Sequence, residues 1–354
     1  MPQSRHFAVI GAGIAGVSCA RTLVQAGHRA TVFEKSATPG GRTATRGSPF
    51  GGFDHGAQYF TIRDPRFALA LQTVPGLCKP WSASTVRLLD DHGGVAAAGL
   101  PPSESHWVPT PGMNALARQW AQPLLDAQQL HLETRITRIA RDPRDAGRWQ
   151  LHTVGPDTEA GHRREVFSGF DHVLLALPAW QTRELLQNSE LAEHLVQQIE
   201  TVHVAPCWTL MLAFPQAMQP AFSTLGPQWN AARSTHHRIA WLARESSKPG
   251  REPVERWTVQ ASAAWSREHF SDDPLRVEAK LLKAFSEVTG IRAEPAHAAV
   301  HRWAYAKTEK PLGKSHLWDK HSGIGACGDW CIGHRVEDAF VSGLELALAS
   351  SGAA

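Results

Sequence analysis

Along the first 46 residues the chain alternates short apolar runs with a stretch of helical period. Phe7–Ile10 is a continuous apolar run too short for a helix and cut off by Gly11, which predicts a buried parallel strand. From Ile14 to Ala26 apolar positions recur at helical spacing until Gly27, and Arg29 to Phe33 reads as a second strand. Asp64 and Pro65 have the residue types of an N-cap and first helical position, predicting a helix to about Thr73. The pattern then changes to period two. Hairpins are expected from Ser84–Leu89 with Gly94–Ala98, turning at Asp90 to Gly93, and from Leu130–Ala140 with Arg148–Val154. His106 to Gly112 reads as a loop before a helix from Met113 to Ala121, and Asp171 to Pro178 as another continuous apolar strand. Beyond it come helices near Gln181–Leu186, Glu190–Glu200 and Asp273–Val288, with strands near Trp208–Phe214, Arg238–Arg244, Arg256–Ala263 and Ala296–Ala306. A short strand ending at Gly328-Asp329 and a helix from about Arg335 to Ala349 close the chain.

The first strand and helix enclose chemistry. Gly11, Gly13 and Gly16 stand in G-x-G-x-x-G spacing, with a strand before, a helix after, and Glu34 about twenty residues on, at the end of the second strand. A pyrophosphate at that helix N-terminus, bordered by Gly11, Ala12, Gly13, Ile14, Ala15 and Gly16, would meet free N–H groups and the positive dipole end. Glu34 can accept from both ribose hydroxyls and would repel a 2′-phosphate. These features predict a bound dinucleotide with an unphosphorylated adenosine. Further on, Pro39-Gly40-Gly41-Arg42-Thr43 offers close backbone approach and the donor fork of Arg42.

Composition narrows the function. At 354 residues the chain can bury a large core and make about two domains. Lys and Arg total 36 against 33 Asp and Glu, with no basic block, so a nucleic-acid partner is not expected; 19 histidines would add positive charge only in mild acid. Five scattered cysteines (Cys19, Cys78, Cys207, Cys327, Cys331) form no C-x-x-C pair and fit a reducing compartment. The opening MPQSRHFAVIGAG does not read as a signal peptide and no apolar stretch is long enough to span a bilayer, so a cytoplasmic protein without a membrane partner is expected. Histidine spacings, including His236-His237, match no ligand pattern, and no metal is expected. No G-x-S-x-G elbow is present.

The motifs GAGIAG, GGR and DHGAQYF, in this order and spacing, resemble the flavin-dependent amine oxidase superfamily. Within it, GAQYF leading to RD-x-RF, and HRW-x-YA at His301–Ala306, look most like the renalases of bacterial type. The fold this resemblance implies is α/β: a doubly wound, Rossmann-type, glutathione-reductase-like FAD-binding domain with an α+β substrate domain built on an antiparallel sheet. The FAD domain is expected from 1–75, 107–178 and 319–354, and the substrate domain from 76–106 and 179–318. By resemblance, non-covalent FAD would be bound by the first glycine motif with Glu34 and Lys35, by Gly41 and Arg42, and by Gly56, Ala57, Gln58 and Tyr59. Ile136 would pack on adenine, Gly328 and Asp329 would meet the ribityl-phosphate part, and Arg335 and Val336 would open a helix pointing at the pyrimidine edge.

The same resemblance implies an oxidase acting on dihydro isomers of NAD(P) reduced at the 2 or 6 position, by hydride transfer to flavin with dioxygen reduced to hydrogen peroxide. Tyr59, His301, Trp303 and Tyr305 are the candidates for the substrate cavity, the last three falling on alternate strand positions. Arg244 is a candidate for substrate phosphates. Lys307, Lys310 and Lys314 cannot be aligned with the lysine many amine oxidases place over the flavin, and with Tyr59 and Tyr305 the only tyrosines, a two-tyrosine cage would need this pair. Two other readings stay open: an amine oxidase or desaturase on a small hydrophobic or amine substrate, and a flavin-binding protein without turnover. Cys327 and Cys331 are expected to pack rather than to tether a flavin.

Overall fold

The computed structural model describes residues 4–82, 87–97, 104–154, 165–218, 227 and 229–352. Among them, a six-stranded sheet runs in the order Leu317–Asp319, Ile324–Ala326, His172–Leu175, His6–Ile10, Arg29–Phe33, Leu130–His131. All neighbours in it are parallel except the first pair, as the continuous apolar runs FAVI and HVLL predict for strands covered on both faces. The helices Ile14–Gln25 and Val336–Ser351 cover one face and cross so closely that a Cβ on Gly343 would lie 2.1 Å from the Ala15 carbonyl oxygen.

The second large sheet has seven strands in the order His297–Lys310, His203–Phe214, Glu255–Ala261, Ile239–Arg244, Ala231–Ser234, Arg87–Leu89, Val95–Ala97. It is antiparallel apart from Ala231–Ser234 beside Arg87–Leu89. One face packs under the amphipathic helix Pro274–Thr289, burying Leu210, Leu212, Val259, Leu281 and Phe285. That helix starts as its sequence asks, with the Asp273 carboxylate accepting from the N–H groups of Leu275 and Arg276. The other face looks toward the six-stranded sheet. The expected architecture, a Rossmann-like unit joined to a second, sheet-based unit, is what the chain adopts.

Several elements differ from the sequence expectation. Leu130–Ala140 is not one strand: Leu130–His131 joins the parallel sheet, Glu133 turns the chain at φ 52°, and Arg135–Asp142 starts a separate three-stranded antiparallel sheet. The break is tied to Glu34, whose N–H donates to His131 and whose carbonyl accepts from Thr134. His106–Pro109 is a strand paired with Cys78–Trp81 rather than a loop. Its alternation, with His106 and Val108 buried around a half-exposed Trp107, was masked by the prolines after it. The helix placed at Met113–Ala121 runs from Ala115 to Asp126 through Pro123, carried by Leu116, Trp120 and Leu124 at spacing four. Helix Ala263–Glu268 was not anticipated.

The expected bounds of the substrate domain, 179–318, take in the helices Ala179–Asn188 and Glu193–Ile199. These helices bury Leu185, Leu186, Leu195, Val196 and Ile199 with Ile139, Trp149, Leu151 and Val173, on the parallel and three-stranded sheets. The first hairpin forms between Arg87–Leu89 and Val95–Ala97; residues 84–86 and Ala98 lie outside the described residues.

Candidate functional site

Between the two large sheets lies a cavity of about 1040 Å³, at the upper end of the range for ligand sites. Of the cofactor and cavity residues nominated from the sequence, all but Ala12, Gly16 and Arg244 line it; the first two are backbone neighbours of residues that do. The Ala12 N–H donates to Glu34 Oε2 at 2.8 Å, and a Cβ on Gly16 would fall 1.9 Å from the Gly11 carbonyl oxygen, so Gly16 is fixed by packing. At Gly13 a Cβ would meet nothing within 4 Å. The backbone there faces open space at the N-terminus of a twelve-residue helix, as a cradle for a pyrophosphate requires. Glu34, buried at 6 %, also accepts the Ser36 N–H at its other oxygen.

Arg42 does not present a free fork. Its guanidinium grips Asp329 with both terminal nitrogens, and Thr308 donates to the same carboxylate at 3.3 Å. The pair joins the GGR turn to the closing segment, where Ser342 Oγ accepts the Gly328 N–H at 2.9 Å. Gly56 is held from two sides: a Cβ there would lie 2.0 Å from the Arg42 carbonyl oxygen, while Gln260 Nε2 donates to its own carbonyl at 2.7 Å.

Aromatic rings cover the sheet side. Tyr59 stacks on His106 with centroids 3.9 Å apart and lies 5.7 Å from Trp241. Trp303 stacks on His55 at 5.1 Å and donates to its carbonyl, and His301 meets both rings edge-on. Burial, reinforced by His301, pushes His55 down to about 4; burial and then Arg46 lower His301. Both rings are neutral near neutral pH. Burial and then Glu184 raise Tyr305. The strict alternation expected for His301, Trp303 and Tyr305 fails. Ala205 pairs with Lys307 but Cys207 with Trp303, so extra residues of the edge strand bulge opposite Pro206, and 301–307 all border the cavity.

Sequence reasoning missed a buried charge cluster. Lys248 Nζ donates to Glu245 at 2.9 Å, Asp54 at 3.1 Å and the Gln58 side-chain oxygen at 3.3 Å, and Arg251 donates to Asp54 at 2.8 Å. Burial works to raise Asp54, but Lys248 and Arg251 outweigh it and hold this carboxyl below the ordinary range. Glu245 goes the other way, raised by burial against the pull of Lys248. Glu245, Lys248 and Arg251 lie within one short segment, but its Ser, Pro and Gly read as a surface turn, and nothing local announces that it is buried on Asp54 and Gln58. Arg244 lies outside the cavity, engaged with Glu255 at 3.1 Å and with the Pro227 carbonyl. Two arginines line the cavity from this sheet: Arg302, which donates to the Phe270 carbonyl, and Arg233, two strands from Gln260. Lys307 also borders the cavity, whereas Lys314 donates to Gln198 at 2.8 Å.

Cys327 and Cys331 are fully buried and do not line the cavity. A hydrogen bond with Cys19 and then burial push the Cys327 thiol up, and burial does the same to Cys331, leaving both as poor nucleophiles. Seven Lys or Arg residues line the cavity against three Asp or Glu among the described residues, so its walls favour anionic ligands. The open backbone at Gly13, the Glu34 carboxylate on the cavity wall and this charge balance fit FAD.

Two family models match the chain: an NAD(P)-binding Rossmann-like domain over residues 9–71 and a flavin containing amine oxidoreductase over residues 99–348. A flavin-containing monooxygenase, ustF2, of Aspergillus flavus is 26% identical over 210 residues, covering 49% of this chain and 40% of that protein. The L-amino-acid oxidase of Daboia russelii is 49% identical over 41 residues, 12% of this chain and 8% of that protein. The chain thus spans less than half the length of these curated relatives. The solved structure of cyclohexylamine oxidase from Brevibacterium oxydans IH-35A superposes with a TM-score of 0.72 at 14% identity, covering 99% of each chain, a likeness of fold. Among the described residues no helix is long and apolar enough to cross a membrane.

Proposed function

From the premise that the chain belongs to the flavin containing amine oxidoreductase family, whose cofactor is FAD, we propose that it is an FAD-dependent oxidase of dihydronicotinamide dinucleotides reduced at the 2 or 6 position. The net change would be dihydronicotinamide plus dioxygen plus a proton giving the nicotinamide cation and hydrogen peroxide. The observation that carries this reading is the lining charge. Of the three acids on the cavity wall, Glu34 faces the adenosine end, Asp329 is held by Arg42, and Glu184 stands near Tyr305, where the aromatic side also carries Arg233, Arg302, Lys307 and the neutral rings. A flat, uncharged ring with phosphates attached suits such a wall better than an ammonium group does.

The residues would divide the work as follows. Gly13 and the helix N-terminus behind it hold the pyrophosphate, Glu34 accepts from the adenosine ribose, and Ile136 packs on adenine. Gly56, Ala57, Gln58 and Tyr59, with Arg335 and Val336 at a helix N-terminus, would hold the ring system. Bound there, FAD supplies the acceptor for a hydride. Hydride transfer needs no general base, and the neutral His55 and His301 beside Trp303 offer shape and exclusion of water rather than a proton acceptor.

Mixing the FAD-loaded protein anaerobically with purified 2- or 6-dihydro isomers should bleach the flavin stoichiometrically, and air should restore it with formation of peroxide. Bleaching by primary amines alone would move the assignment to amine oxidation, the second reading, which rests on the family description over residues 99–348. Bleaching by no donor would leave a flavin-binding protein without turnover.

A further inference from the structure

Strand register places five residues in one row across the seven-stranded sheet. Arg233 pairs with Trp241, Trp241 with Gln260, Gln260 with Thr209, and Thr209 with His301. Directly opposed residues share a face, so this row points toward the six-stranded sheet, and all of it but Thr209 lines the cavity. Gln260 is fixed over Gly56 by its hydrogen bond. With strands ~4.8 Å apart, the backbone of Arg233 stands ~10 Å from that of Gln260. Arg233 and its neighbour Ala240 are exposed although both line the cavity, which marks this end of the row as its mouth.

Arg233 is chemically idle. Among the described residues its guanidinium meets no hydrogen-bond or ion-pair partner, only the ring of Trp241 at 6.0 Å. Its neighbours are all engaged: Arg238 on the Lys280 carbonyl, Arg244 on Glu255, Arg251 on Asp54, Arg256 on the Gly52 carbonyl. A guanidinium left free at a cavity mouth, behind an aromatic wall, is a ready fork for a phosphate. Its distance along the row from Gln260 suits an anion several bonds away from a ring held deep in the cavity, and not a carboxylate attached to the reacting carbon.

We infer that Arg233 is a specificity-determining residue that anchors the phosphate of a nicotinamide nucleotide at the cavity mouth. This rests on the oxidase reading above, but its test is separate. Calorimetric titration of the FAD-loaded protein with nicotinamide riboside, nicotinamide mononucleotide and NAD+ reads binding without turnover. In the native chain the two phosphorylated ligands should bind about tenfold more tightly than the riboside, a preference that weakens as salt is raised. Arg233→Gln should abolish that preference while leaving riboside affinity unchanged, and Arg233→Lys should keep part of it.

The inference is overturned if Arg233→Gln weakens the riboside equally, if the preference survives the substitution, or if none of the three ligands binds. Arg233-dependent binding of benzoate without any of mononucleotide overturns it in favour of a carboxylate anchor. If dihydro isomers bleach the native flavin while the preference is untouched in Arg233→Gln, the oxidase reading stands and the anchor falls. If they do not bleach it but the Arg233-dependent preference is found, the anchor stands and the oxidase reading falls.

Discussion

His55 and Lys248 are two residues whose burial makes separate, measurable demands. The ordinary histidine value is 6.5, and burial with His301 beside it lowers His55 to about 4. Between those two values the unfolded chain takes up a proton that the native ring refuses, so this residue's contribution to stability is present above pH 6.5 and declines as pH falls toward 4. Thermal unfolding followed across that window should show a shallower fall in Tm for His55→Asn than for the native chain. The slope that remains comes from the other histidines lowered by burial, among them His301, His334 and His172, the last lowered to about 4 by burial and then Arg5. Equal slopes would rule out the neutral, buried ring. Lys248→Met leaves Glu245 and Asp54 without their shared cation, and denaturant titration should register a loss of about 3–5 kcal/mol. At this scale the glycines and Glu34 were legible because their spacing is local. That Arg244 is engaged while Arg233 is left unpaired among the described residues is not legible, because it depends on Glu255 and the Pro227 carbonyl lying within reach of one guanidinium and not the other, which no residue spacing announces.

The glycine turn and its helix show how one element encodes two distinct requirements. Gly16 is needed for packing, since a Cβ would run into the Gly11 carbonyl; Gly13 is needed only for whatever occupies the open space beyond it. Gly13→Ala should therefore fold with a Tm close to that of the native apoprotein yet retain little FAD, as read by the flavin absorbance of the purified protein. Gly16→Ala should lower the Tm of the apoprotein itself or prevent its accumulation. A Gly13→Ala protein that loads FAD normally would remove the pyrophosphate from this site. Other elements were less readable for identifiable reasons. Leu130–Ala140 has an unbroken strand pattern, and nothing in it announces that the chain must turn at Glu133 to wrap the backbone of Glu34. The alternation at His301–Tyr305 is real in sequence, but the missing N–H of Pro206 on the partner strand accompanies a bulge that sets it aside.

Across the whole molecule, the two large sheets are held together by charge as well as by apolar packing. Asp54 lies on a short strand reached from the nucleotide-binding end of the chain, while its cations Lys248 and Arg251 follow the Ile239–Arg244 strand of the other sheet. Its Oδ1 accepts from the Met113 N–H and the Thr45 hydroxyl, and its Oδ2 from both cations, with no exposure to water. Asp54→Asn keeps an oxygen for Met113 and Thr45 but turns an amide N–H₂ toward two cationic donors, an ammonium and a guanidinium. Lys248 is then buried with Glu245 as its remaining acid and Arg251 keeps only the Pro109 and Pro249 carbonyls, while Glu245 is itself raised toward its neutral form by burial. The penalty falls on the joint and not on either sheet's own core, so calorimetry should show the single transition of the native chain replaced by two, the first about 4–7 °C lower. FAD bridges the same joint in the proposed complex, so saturating FAD should draw the two transitions back together by mass action. A single transition shifted by less than a degree would mean that the apolar interface alone couples the two halves.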